Sequence, residues 1–104
     1  MVVRPPGFDP AKKYPLFVMI HGGPANMWRD QFFLRWNYHL IASGSGASTP
    51  GASRDGYVLV LTNYTGSTGF GEKFAQSIQY DPLKGPGAEV NEAADVAIRK
   101  FPFI

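Results

Sequence analysis

The apolar run Leu16-Phe17-Val18-Met19-Ile20 stops at His21-Gly22-Gly23-Pro24, and this junction limits the fold more than any other stretch. Unbroken apolar residues closed by strong turn formers predict a buried strand over 16–21 that ends in a sharp turn. Tyr57-Val58-Leu59-Val60-Leu61-Thr62-Asn63 is a second run of the same kind. Two such runs joined by a segment with helical content predict a βαβ unit, its parallel strands covered on both faces. Gly22 and Gly23 carry no side chains, so their backbone N–H groups can approach a ligand closely, the arrangement a developing oxyanion needs. That reading points to acyl transfer. An ordinary strand-to-loop junction is written the same way, with His21 merely hydrogen-bonding nearby backbone.

Composition narrows the partners. The 104 residues are 44% hydrophobic and 17% charged, which belongs to one small folded domain. Ten Lys and Arg against eight Asp and Glu give a net charge of +2. These charges are scattered without a basic block, which excludes nucleic acid and an anionic membrane surface as partners. Without cysteine there is neither a disulfide framework nor a thiolate metal site, and two isolated histidines, His21 and His39, do not suggest metal binding. No metal and no cofactor are expected. The N-terminus lacks an apolar signal core, no apolar run approaches the roughly 20 residues of a membrane span, and no compartment is indicated.

Along the chain, Pro5, Pro6, Pro10 and Pro15 predict an extended lead-in over 1–15, since proline supplies no N–H and keeps its predecessor out of the helical region. Residues 16–104 then form the domain. Phe32, Trp36 and Leu40 recur at helical spacing and are expected in the core, with a short helix over Asn37 to Ser43. The small-residue stretch 44–55 is expected to be a flexible, exposed insertion, because it has little apolar surface to offset the entropy of ordering it. A helix is predicted over Glu72 to Tyr80 and a breaker-rich loop over 81–87. A final helix is predicted from Ala88 to Phe101, with Val90, Ala93, Ala94, Ala97, Ile98 and Phe101 on one face. Glu89 and Glu92 suit its positive end, Arg99 and Lys100 its negative end, and Asp95 with Arg99 forms an i,i+4 pair before Pro102 stops it. Phe103-Ile104 falls where a further strand is expected, so the chain reads as part of a larger domain.

Four other features carry less. Gly66-Ser67-Thr68-Gly69-Phe70-Gly71 lacks the G-x-G-x-x-G spacing of a dinucleotide site, and no G-K-S/T follows. Asn63-Tyr64-Thr65 matches a glycosylation sequon, but its place at a strand end argues for partial burial and a chance match. Ser67 and Ser77 lie outside any G-x-S-x-G nucleophile elbow, and neither is expected to be a nucleophile. Glu92 and Asp95 read as solvated charge on the polar face of a helix.

Taken in order, His21-Gly22-Gly23-Pro24, then Gly56 to Tyr64, then Gly66 to Gly71 followed by a helix, resembles the catalytic domain of the prolyl oligopeptidase family of serine peptidases, particularly its acylaminoacyl-peptidase and dipeptidyl-peptidase V-like branch. Members of that family read HGGP after one strand and N-Y-R-G-S-T-G-Y/F-G after the next. The resemblance covers nearly all of residues 13–104 and implies an α/β class, an incomplete α/β-hydrolase fold with a parallel βαβ core and flanking helices. It further implies that His21, Gly22 and Gly23 form the oxyanion loop, while the serine nucleophile, aspartate and histidine of a triad lie outside this chain. On this reading the complete parent hydrolyses peptides and the chain alone is inactive. An esterase or lipase of the same fold, and a non-catalytic interaction module that self-associates through exposed apolar surface, are the alternatives. Two positions depart from the pattern: Thr65 stands where the family usually has Arg, leaving at best a hydroxyl hydrogen bond in place of an ion pair, and Gly44 to Asp55 is inserted where the family runs almost directly into Gly-Tyr-Val.

Overall fold

The computed structural model describes residues 1–23, 25–44 and 54–104. Its sheet has three strands in the order β1 (Val2–Val3), β3 (Val58–Thr62), β2 (Leu16–Ile20). β2 and β3 run parallel, in register from Leu16 opposite Val58 to Ile20 opposite Thr62. The crossover between them carries α1 (Tyr38–Ser43), so the predicted βαβ unit is present. Asn37 caps α1 by accepting a hydrogen bond from the Leu40 N–H at 3.0 Å.

The lead-in contributes more than an approach. Val2 and Val3 pair antiparallel with Val60 and Leu59, making an edge strand that the proline-rich reading of 1–15 does not anticipate. Tyr14 is buried, its N–H bonds to the Phe103 carbonyl at 2.8 Å, and Lys13 Nζ reaches the carbonyls of Pro102 and Ile104. The Arg4 guanidinium lies 4.9 Å from the Phe8 ring centre and 5.4 Å from that of Phe103. The two ends of the chain therefore clasp each other on one side of the sheet.

β3 supplies the centre of the core to both faces. Leu59 and Leu61 pack with Met19, Trp28, Tyr38 and Ala42, while Val58 packs with Tyr14 and Phe103. Gly56 opens this strand with φ +90°, and a Cβ there would lie 2.2 Å from the Ala42 carbonyl oxygen. Only glycine permits that approach of α1 to the start of β3. The expected core positions Phe32, Trp36 and Leu40 are instead 68%, 57% and 66% exposed. Trp28 and Tyr38 take the core positions because each satisfies its polar atom there. Trp28 Nε1 donates to the Met19 carbonyl at 3.2 Å, and Tyr38 Oη donates to the Gln31 carbonyl at 2.7 Å.

Beyond β3 come α2 (Glu72–Gln76), a 3₁₀ turn over Ser77–Tyr80, and α3 (Lys84–Lys100). α3 starts four residues earlier than the predicted Ala88. The Asp81 carboxylate accepts from the N–H groups of Lys84 and Gly85 at 3.0 and 2.9 Å, and Pro86 falls in the first turn, where a missing N–H costs nothing. Ala97 is buried as expected, but Ile98 is 54% exposed, and Asp95 and Arg99 form no ion pair within 4.0 Å among the described residues. The result is a small mixed α/β domain. Most of the expected 44–55 insertion, residues 45–53, lies outside the described residues.

Candidate active site

The two motifs lie 40 residues and more apart in sequence and meet where neighbouring parallel strands end. β2 delivers His21 and the exposed Gly22-Gly23 turn, and β3 delivers Asn63 to Gly69 beside it. Nothing lies within 4 Å of where a Cβ would sit on Gly22 or Gly23, so their backbone is open to approach. Gly23 adopts φ +65°.

His21 is buried, with Trp28 edge-on at 6.4 Å between ring centres and the second loop supplying its other contacts. Its ring stacks on Tyr64, centres 4.6 Å apart and planes 20° apart. Nε2 lies 2.7 Å from Ser67 Oγ, and Ser67 Oγ lies 2.7 Å from the Tyr64 carbonyl oxygen. A hydroxyl has one proton, and the Tyr64 carbonyl can only accept. Ser67 therefore donates to Tyr64 and accepts from His21, which assigns the Nε2–H tautomer to the imidazole. Nδ1 is buried and has no hydrogen-bond partner among the described residues. Tyr64 Oη closes the circuit by donating to the His21 carbonyl at 2.8 Å. Partial burial pushes the Tyr64 phenol above its ordinary value of 10.0, so it remains a donor throughout the neutral range.

Further along, the loops are zipped by backbone contacts. Thr68 N–H donates to the Asn26 carbonyl at 2.9 Å. Asn63 uses both ends of its amide, accepting from Trp28 N–H at 2.8 Å and donating to the Trp28 carbonyl at 3.2 Å. This engagement matches the partial burial expected of the sequon asparagine. Gly66, with φ +100°, packs so tightly that a Cβ would meet Ile78 side-chain atoms at 2.7–2.9 Å. The loop is also tied to α3: Glu89 accepts from Thr65 N–H at 2.7 Å and from Thr65 Oγ1. The hydroxyl expected in place of an arginine ion pair thus finds a carboxylate, and Glu89 is occupied by this contact beyond any dipole role.

The residues expected in the oxyanion loop, His21, Gly22 and Gly23, lie together at the end of β2, and Ser67, which is not expected to be a nucleophile, lies against His21. Ser67 has no exposed surface, and its hydroxyl is committed to His21 and Tyr64. The roles of Tyr64, Ser67 and Glu89 as supports were not legible, although the glycine-bounded spacing of the second motif was a signal that its backbone is closely packed. Beside the His21 turn lies a cleft of about 600 Å³, walled by β2, Trp28, Phe33 and Trp36. Among the described residues no cluster of His, Asp and Glu could hold a metal ion, and no helix is long and apolar enough to cross a membrane.

Comparison with known proteins finds relatives over nearly the whole chain. The sequence is 38% identical over 103 residues to a probable dipeptidyl-peptidase 5 of Aspergillus clavatus, covering 99% of this chain and 13% of that protein. It is 44% identical over 80 residues to dipeptidyl-peptidase 5 of Trichophyton equinum and 39% identical over 80 residues to that of Schizosaccharomyces pombe, each match covering 77% of this chain and 10% of the relative. The chain is thus similar to one part of these peptidase-named proteins. Its homologues are dipeptidyl-peptidase 5 proteins, and it spans about one tenth of their length. No family model matches the sequence, and no solved structure matches it.

Proposed function

We propose that the chain is the oxyanion-side portion of a serine peptidase catalytic domain of the α/β-hydrolase type, acting in a parent of the dipeptidyl-peptidase kind. The observation that carries this reading is the open Gly22-Gly23 turn at the end of β2, with His21 held from behind by Tyr64 and Ser67. In such folds one oxyanion donor comes from the loop after this strand and the other from the residue following the nucleophile. Gly22 or Gly23 supplies the first as a backbone N–H. The second, together with the serine, aspartate and histidine, lies outside these residues.

The chemistry divides accordingly. A serine hydroxyl attacks the scissile carbonyl, and charge develops on the carbonyl oxygen as it becomes tetrahedral. A preorganised N–H aimed at that oxygen stabilises the transition state by about 3–4 kcal/mol where the rest of the site is assembled. His21 is not the triad histidine on this reading, because its Nε2–H is committed to Ser67 and its ring is buried. The test compares peptide and ester turnover by the native polypeptide that carries these residues. Release of dipeptides is expected; turnover of esters with no cleavage of any peptide would replace the peptidase reading with the esterase one.

A second reading has one observation in its favour. Phe17, Ile20, Trp36 and Leu40 are 43%, 57%, 57% and 66% exposed, and the first three line one cleft along β2, an apolar surface suited to association. Size in solution that rises with concentration supports self-association, and a monomer at all concentrations counts against it.

A further inference from the structure

We infer that Tyr64 is a positioning residue for the oxyanion loop, acting through the peptide group between His21 and Gly22; this deepens the proposed function and rests on it. A trans peptide is planar, and its C=O and N–H point in opposite directions. The Tyr64 hydroxyl, donating to the His21 carbonyl at 2.8 Å, fixes that plane and so fixes the direction of the Gly22 N–H and the entry to the Gly22-Gly23 turn. One hydrogen bond alone leaves rotation about the chain. Here further contacts remove it.

The Tyr64 ring stacks on the same histidine whose carbonyl its hydroxyl holds, so side chain and backbone of His21 are gripped by one residue. Ser67 anchors the far edge of the imidazole through Nε2 and returns its own proton to the Tyr64 carbonyl. Ser67 N–H also bonds the Tyr64 carbonyl, at 3.0 Å, so Tyr64 is itself held by the turn it belongs to. Thr65, between them, is tied to Glu89 of α3. Among the described residues nothing lies within 4 Å of where a Cβ would sit on Gly22 or Gly23, and the order of this turn is borrowed from Tyr64, Ser67 and the helix behind them.

The test uses Tyr64→Phe, which keeps the stacked ring and removes only the hydroxyl. In the ¹⁵N-labelled chain the backbone order parameters of Gly22 and Gly23 fall from about 0.85 to below about 0.6, while those of Thr68 and β3 hold. In the native polypeptide the same change lowers kcat roughly 10- to 100-fold with KM within about twofold, because a misaimed donor affects the transition state more than substrate binding. Unchanged order at Gly22 in a folded variant overturns the inference. Loosened glycines with unchanged kcat overturn the catalytic reading of the loop and leave Tyr64 a purely structural residue. Should the variant not fold, the unmodified chain decides: ¹⁵N shifts of the His21 ring are expected to show the Nε2–H tautomer, and the Nδ1–H tautomer would break the circuit on which the inference depends.

Discussion

β2 and β3 are both five-residue strands, all apolar but for Thr62 and paired residue for residue in one parallel register, yet all five residues of β3 are buried while Phe17 and Ile20 of β2 are 43% and 57% exposed. β3 has β1 on one edge and β2 on the other, with α1 packed over one face and α3 and the C-terminal residues over the other. β2 has a strand on one edge only among the described residues. Burial is thus set by place in the strand order, and hydrophobicity alone does not reveal that place. The comparison also separates two kinds of unfinished business in the molecule. The polar turn after β2 is braced from behind by Tyr64 and Ser67, whereas Phe17 and Ile20 of β2 stay largely exposed among the described residues.

The strongest way to break this comparison is to truncate one residue from each strand. Leu61→Ala should cost about 2–5 kcal/mol, as expected for a large side chain with 1% exposure, and Ile20→Ala no more than about 0.5 kcal/mol. Urea denaturation with a shared m-value reads both, and equal losses would mean that β2 is as buried as β3. Next in size is a pair of glycines. Gly56→Ala places a Cβ against the Ala42 carbonyl at φ +90° and should destabilise by about 1–3 kcal/mol, while Gly22→Ala, with open space around it, should be nearly silent in thermal unfolding.

Ser67→Ala sharpens the account of the braced turn. It strands the buried His21 Nε2–H and should cost about 1–3 kcal/mol. A loss below about 0.3 kcal/mol in the same denaturation experiment would show that the His21 contact is not a stabilising one. The smallest effect is in pH. Because burial raises the Tyr64 phenol in the folded state, its contribution to stability is complete below the unfolded value of 10.0 and is lost as pH rises through the raised folded value. Stability measured across that alkaline range should fall more steeply for the native sequence than for Tyr64→Phe.

Much of this was legible from the chain itself, for local reasons. The strand-turn junctions at 16–23 and 57–66 announce themselves by apolar runs meeting glycines, and Asn37 marks the start of α1. The early start of α3 was hidden because Gly85-Pro86-Gly87 reads as a breaker, while proline in a first turn capped by Asp81 is compatible with helix. Phe32, Trp36 and Leu40 show helical spacing but no helix forms over 32–36, so the spacing has no face to define. Of the candidate site, the motif marks His21, Gly22 and Gly23 as neighbours at a strand end, and their proposed role rests on the family resemblance. Tyr64, Ser67 and Glu89 were not readable, because their roles depend on loops and a helix that only the folded chain brings together.

The central claim is that these residues form the oxyanion side of a serine hydrolase site whose nucleophile lies elsewhere in the polypeptide. The most direct measurement is the intact mass of the native polypeptide from its source, with and without a fluorophosphonate probe, followed by mapping of the labelled residue. The account predicts a mass several times 11.4 kDa, a gain of one probe, and a labelled serine outside residues 1–104. A polypeptide labelled at Ser67, Ser77 or any other serine within these residues would contradict it.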